Sequence, residues 1–128
     1  MTHGELNAAG NRLAWALRDS GLRIAILDKA EFPRQKVCAG WVTPAVMQEL
    51  QIDLDDYAGK HVLQPITGFC ISQIGQKQVR SHYPDKPVSY GIRRIEFDHY
   101  LLQRSQAELL HGVAFSQMAP VENGWRIN

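Results

Sequence analysis

The chain has 128 residues, 45% of them hydrophobic and 21% charged, the balance of one ordinary globular domain. Fourteen Lys and Arg stand against thirteen Asp and Glu, and no basic run exceeds two residues, which argues against a charge-driven nucleic-acid surface. Cys38 and Cys70 lie 32 residues apart with no CxxC spacing, so neither a metal site nor a disulfide framework is suggested.

The opening "MTHGELNAAG" lacks the cationic flank and apolar core of a signal peptide. No apolar run approaches the roughly 18 residues of a membrane span. These features predict a reduced, cytoplasmic protein.

The first predicted element is a helix over 7–21, "NAAGNRLAWALRDSG", with Asn7 as N-cap and Gly21 as its stop. Leu13, Ala14, Ala16 and Leu17 supply its apolar face. The run "LRIAILD" (22–28) reads as a short buried parallel strand. A loop follows over 29–41. Thr43 and Pro44 then predict a helix start, Thr as N-cap and Pro in the first turn. Residues 51–65 read as irregular, and their acidic cluster Asp53, Asp55 and Asp56 as a solvated turn, since calcium-loop spacing is absent.

The character becomes β from 66 to 92. "ITGFCISQ" and "KQVRSHY" flank the short connection "IGQ" and predict a hairpin. "VSYGIRR" (88–94) reads as a third strand. A helix is predicted over 94–110, where Ile95, Leu102 and Leu109 repeat every seven residues. Asp98 falls on the same stripe, where a carboxylate needs a partner. "GVAFSQM" and "GWRIN" read as two closing strands. A strand between helices predicts an α/β layer, and the hairpin block a second or inserted sheet.

Helix 7–21 and strand 22–28 make up the second half of a βαβ unit. In dinucleotide-binding units an acidic residue about 20 residues beyond a glycine-rich turn accepts ribose hydroxyls. Asp28 follows Gly10 by eighteen residues. A plain helix–strand pair with a surface Asp satisfies the same spacing.

The loop adds to this. Phe32, Pro33, Arg34, Lys36, Cys38, Ala39 and Gly40 stand in "EFPRQKVCAGW", and Arg94, Phe97, Asp98 and Leu101 in "YGIRRIEFDHYLL". Both segments, in this order, resemble the geranylgeranyl reductase-like branch of FAD-dependent oxidoreductases, whose flavin fold is shared with aromatic hydroxylases and halogenases. The resemblance covers roughly 8–128. It implies a partial Rossmann-like FAD-binding domain with an inserted antiparallel β segment, a single incomplete domain over 1–128. Its parts are a βαβ-derived half over 7–50, a β-rich insertion over 60–92, and a helix plus strands over 93–128.

The resemblance also implies roles. Gly10 stands as the last glycine of a GxGxxG turn, packing its helix closely on the sheet. Asp28, with Lys29 beside it, takes the adenosine ribose, and Arg34 the pyrophosphate or ribityl side, where a planar guanidinium suits phosphate oxygens. Lys36 is a second cation for the cofactor or a solvated residue. Cys38 lies near the flavin as a packed or tuning residue, Ala39 and Gly40 admit the ring, and Arg94 contacts the cofactor from its helix. The catalytic residue stays unassigned. Trp41 is a candidate wall of a substrate cavity.

The family begins with a strand and full glycine turn and continues into a second FAD motif. The chain is therefore expected to be an N-terminal fragment that lacks the first strand and most of GxGxxG, with weak or no activity alone. The implied chemistry is flavin-mediated hydride transfer, with NAD(P)H as a donor and a small prenyl or aromatic substrate. Strand 22–28 is expected to leave an open edge that invites self-association. The alternatives are a non-catalytic remnant or interaction module without cofactor, and a nicotinamide-binding Rossmann piece.

Overall fold

The computed structural model describes residues 3–128, with side chains from residue 10 onward. Contacts divide the chain into two compact units, one made of the chain up to Gln35 and from Asp98 onward, the other of Lys36–Phe97.

In the first unit, α1 runs over His3–Leu17 and leads to β1, Ala25–Asp28. Asn7 therefore lies inside the helix rather than capping it. The helix stops at Leu17, whose carbonyl accepts from the Ser20 backbone N–H and hydroxyl. Gly21, at φ 76°, turns the chain toward β1. The buried stripe is Asn11 and Ala14, while Leu13 is 60% exposed. Trp15, on the adjoining face, has the guanidinium groups of Arg12, Arg18 and Arg104 at 5.0, 4.5 and 4.9 Å from its ring centre.

α4 spans Arg94–Arg104, shorter than the 94–110 expected, and β7 covers Glu108–His111. The seven-residue repeat misled here: its third member, Leu109, belongs to a strand. Local chemistry ends the helix. The Ser105 hydroxyl donates to Leu102 O at 2.6 Å and accepts from Ala107 N at 3.3 Å, and Gln106 takes a left-handed φ of 54°. Glu108 N then donates to Ile24 O at 2.8 Å, and β7 runs parallel to β1. The register sets Ile26 against Leu109 and Asp28 against His111. Among the described residues neither strand has another partner.

The closing hairpin pairs β8, Met118–Val121, with β9, Gly124–Ile127. Its first strand lies later than the 112–118 expected. The two-residue connection Glu122–Asn123 fixes Val121 opposite Gly124 and so draws 118–121 into the ladder. Ser116 and Gln117 instead donate their N–H groups to Asn128 O.

The second unit is mostly β. β2, Trp41–Val42, and β3, Leu63–Ile66, flank β6, Ser89–Ile92, in one antiparallel sheet. β4, Gly68–Ile71, and β5, Val79–His82, form the expected hairpin. Gly68 is required there, since a Cβ would lie 2.4 Å from Ser81 O across the ladder.

Two helices connect these strands. α2, Pro44–Glu49, begins as expected: Thr43 caps it by accepting from Val46 N, with Pro44 in its first turn. α3, Leu54–Ala58, falls in the segment expected to be irregular. The acidic cluster makes this helix. Asp53 caps it by accepting from the Asp55 and Asp56 N–H groups, and the latter two carboxylates occupy the first turn, where the dipole favours them.

The unit packs around Tyr57 (0% exposed), Met47, Ile52, Tyr90, Ile92 and Phe97. Tyr57 meets Phe97 edge-on at 5.9 Å and His61 at 4.9 Å. Tyr57→Ala is expected to cost about 3–5 kcal/mol, the range for emptying a large aromatic site. Guanidinium unfolding measures it. A loss below about 1 kcal/mol contradicts this core, since surface changes stay near that level.

Candidate functional site

In the first unit the chemistry gathers at the carboxyl end of β1. The Asp28 Oδ1 accepts from Ala30 N at 2.9 Å, closing a tight turn as the strand ends. Its backbone carbonyl accepts from Val113 N at 3.2 Å, just past β7. The loop then folds back. The Phe32–Pro33 peptide is cis. Arg34 stacks its guanidinium 4.9 Å from the Phe32 ring centre and reaches to 4.0 Å from the Asp28 carboxylate.

Both charged side chains are mostly buried, 16% and 13% exposed. At 4.0 Å the pair is an ion contact rather than a direct hydrogen bond. A carboxylate acceptor and a forked cationic donor thus sit side by side at the end of a parallel strand. That donor set suits ribose hydroxyls and phosphate oxygens.

In the second unit Cys38, Gly40 and Arg94 come together. The Cys38 Sγ accepts from Gly40 N at 3.4 Å and from Arg94 Nη1 at 3.6 Å. The Gly40 amide foremost, and the Arg94 guanidinium with it, hold the Cys38 thiol below the usual range. Gly40 has φ 66°, its carbonyl accepts from Ile92 N at 2.8 Å, and a Cβ there would lie 2.7 Å from Ile92 O. The need for glycine is therefore set by the chain's own β6.

Cys38 is exposed, so its thiolate is open to reagents. In a Cys70→Ser background, Arg94→Ala is expected to slow alkylation of Cys38 by iodoacetamide at neutral pH. The sign follows from the thiolate being the nucleophile. Removing a cation raises the thiol pKa, so the rate–pH midpoint moves upward. A profile that does not move overturns the contact.

The other sequence candidates are less engaged. Lys29 and Ala39 are exposed and Lys36 is half-buried. Gly10 lies within α1, and a side chain there would meet nothing among the described residues within 4 Å. Close packing on the sheet, expected for this glycine, is thus not observed. Trp41 packs edge-on against Phe69, with ring centres 6.0 Å apart. Among the described residues no group of three His, Cys, Asp or Glu is placed to hold a metal ion, and no helix is long and apolar enough to cross a membrane.

One residue missed in the sequence stands out. His111 ends β7 beside Asp28, its ring 5.9 Å from Phe32. The available signal was the apolar run "ELLH" closed by glycine, which read as the tail of a helix.

These elements define a class: a mixed α/β fold with a Rossmann-like parallel pair and an antiparallel block, as expected. No protein-family model matches the chain, and no curated protein sequence matches it. Solved structures do share its fold.

A geranylgeranyl bacteriochlorophyll reductase-like protein from Thermoplasma acidophilum aligns over 91% of this chain, at a TM-score of 0.71 and 15% identity. A flavoprotein/dehydrogenase from Cytophaga hutchinsonii aligns over 94%, at 0.65 and 19%. The halogenase PltM, in complex with phloroglucinol and FAD, aligns over 94%, at 0.66 and 18%. The chain spans 30%, 34% and 29% of the lengths of these three. At such identities the likeness establishes the fold, and this is the fold of flavoproteins.

Proposed function

We propose that the chain is part of one FAD-binding domain of a flavin-dependent oxidoreductase. The observation that carries this reading is the Asp28–Arg34 pair at the carboxyl end of β1, beside the parallel strand β7. In this reading Asp28 holds the adenosine ribose, and Arg34 the pyrophosphate, with Lys29 near them. Lys36, Cys38, Ala39, Gly40 and Arg94 serve the flavin portion, and Gly10 the helix that follows the phosphate turn. When bound, FAD supplies hydride chemistry, with the protein providing orientation and exclusion of water.

NAD(P)H as donor and a prenyl or aromatic substrate belong to the same reading. The fold shared with a reductase-like protein and with a halogenase structure holding phloroglucinol supports that substrate range. Two free thiols suit a reducing, cytoplasmic setting.

Titration of the folded chain with FAD, followed by quenching of flavin fluorescence, tests the proposal. Saturable binding is expected. A chain that is folded by circular dichroism yet binds no FAD overturns it.

A second reading, an interaction module without cofactor, is favoured by one observation: among the described residues the β1–β7 sheet has two strands only. Such a sheet leaves edges for another chain to pair with. Sedimentation across a concentration series, without flavin, separates the two. Association supports this module, and a monomer at all concentrations counts against it.

A further inference from the structure

β1 and β7 run parallel and in register, so Asp28 and His111 close the two strands at the same end. Neighbouring strands lie about 4.8 Å apart, and residues in register share a face of the pleat. In parallel α/β sheets ligands bind in the crevice outside the carboxyl ends of the strands. Whatever enters beside Asp28 therefore also meets the residue that ends β7.

That residue carries a planar ring. The His111 imidazole lies 5.9 Å from the Phe32 ring, the planes inclined by 50°. Phe32 in turn has the Arg34 guanidinium at 4.9 Å, and Arg34 reaches the Asp28 carboxylate. Asp28, Arg34, Phe32 and His111 thus form one connected cluster. His111 is its exposed member. A Cβ built on the next residue, Gly112, would meet nothing within 4 Å among the described residues, so open space adjoins the imidazole.

A carboxylate next to an exposed ring with free space beside it is an arrangement for a nucleoside. The carboxylate takes the sugar hydroxyls and the ring offers a face to the base. We infer that His111, backed by Phe32, is the stacking platform for the purine base of a nucleotide whose ribose is held by Asp28. This rests on the flavin reading, in which that nucleotide is the adenosine half of FAD.

The test titrates the full chain, His111→Ala and His111→Phe with FAD, AMP and FMN. FMN lacks the adenosine half. Stacking of a base on a protein ring is lost with alanine at about a 5- to 150-fold cost in affinity. His111→Ala is expected to weaken FAD and AMP by that factor and to leave FMN unchanged, and His111→Phe to restore both.

The outcomes separate the two ideas. FAD binding to the wild type that is undiminished in His111→Ala overturns the platform and leaves the flavin reading standing. AMP binding that depends on His111, in a chain that takes no FAD, keeps the platform and removes the flavin reading. Equal weakening for FAD, AMP and FMN marks a structural role and overturns the platform. Binding of neither FAD nor AMP by the wild type overturns both.

Discussion

Asp28→Asn is expected to weaken FAD binding about 10- to 100-fold, because a hydrogen bond to a charged group contributes roughly 1.5–3 kcal/mol. The substitution keeps the shape of the side chain. Asparagine's carbonyl still accepts from Ala30 N, so the turn after β1 survives. What changes is charge. The amide takes one sugar hydroxyl where the carboxylate takes two, and it no longer balances the half-buried guanidinium of Arg34. Calorimetric titration with FAD measures the loss, with circular dichroism confirming the fold. An unchanged dissociation constant removes Asp28 from the cofactor site.

Gly40→Ala is expected to lower the stability of the cofactor-free chain by about 2–5 kcal/mol, from two separate terms. A left-handed residue with a Cβ costs roughly 1–2 kcal/mol, and Gly40 has φ 66°. Overpacking costs a further 1–3 kcal/mol or so, and the new Cβ would lie 2.7 Å from Ile92 O, a backbone atom that cannot rotate away.

Thermal unfolding should show a fall on the order of 10 °C. Gly40→Asn separates the terms. Asparagine tolerates the left-handed region but carries the same Cβ, so it too should be destabilised. A variant as stable as the wild type means that the loop does not approach β6 this closely.

Much of the architecture was legible because its determinants are local. Thr43–Pro44 starts a helix by its own hydrogen bonding, whatever surrounds it. The β4–β5 hairpin follows from two β-rich runs around a glycine connection. Asp28 ends a strand because an Asx turn needs only the residues beside it. The acidic cluster at Asp53 was read as a turn when it is a cap, since the two share their first hydrogen bonds.

The end of α4 was the costly error. An apolar run after a helix is ambiguous by periodicity alone, and Ile95, Leu102 and Leu109 fitted a repeat that the chain does not use. Placing β7 required knowing that β1 lies where Glu108 N can find Ile24 O. His111 became visible only through that pairing.

The sequence by itself determined the order of helices and strands, the carboxylate at the end of β1 and the cationic loop after it, through short-range hydrogen bonding and alternating polarity. The tertiary structure alone decided three things. His111 stands beside Asp28, Arg34 folds back over Phe32 onto the carboxylate, and Gly40 is glycine because of Ile92. Each joins atoms distant along the chain or turned back on it, and such contacts depend on strand register and loop path, which no local pattern of residues encodes.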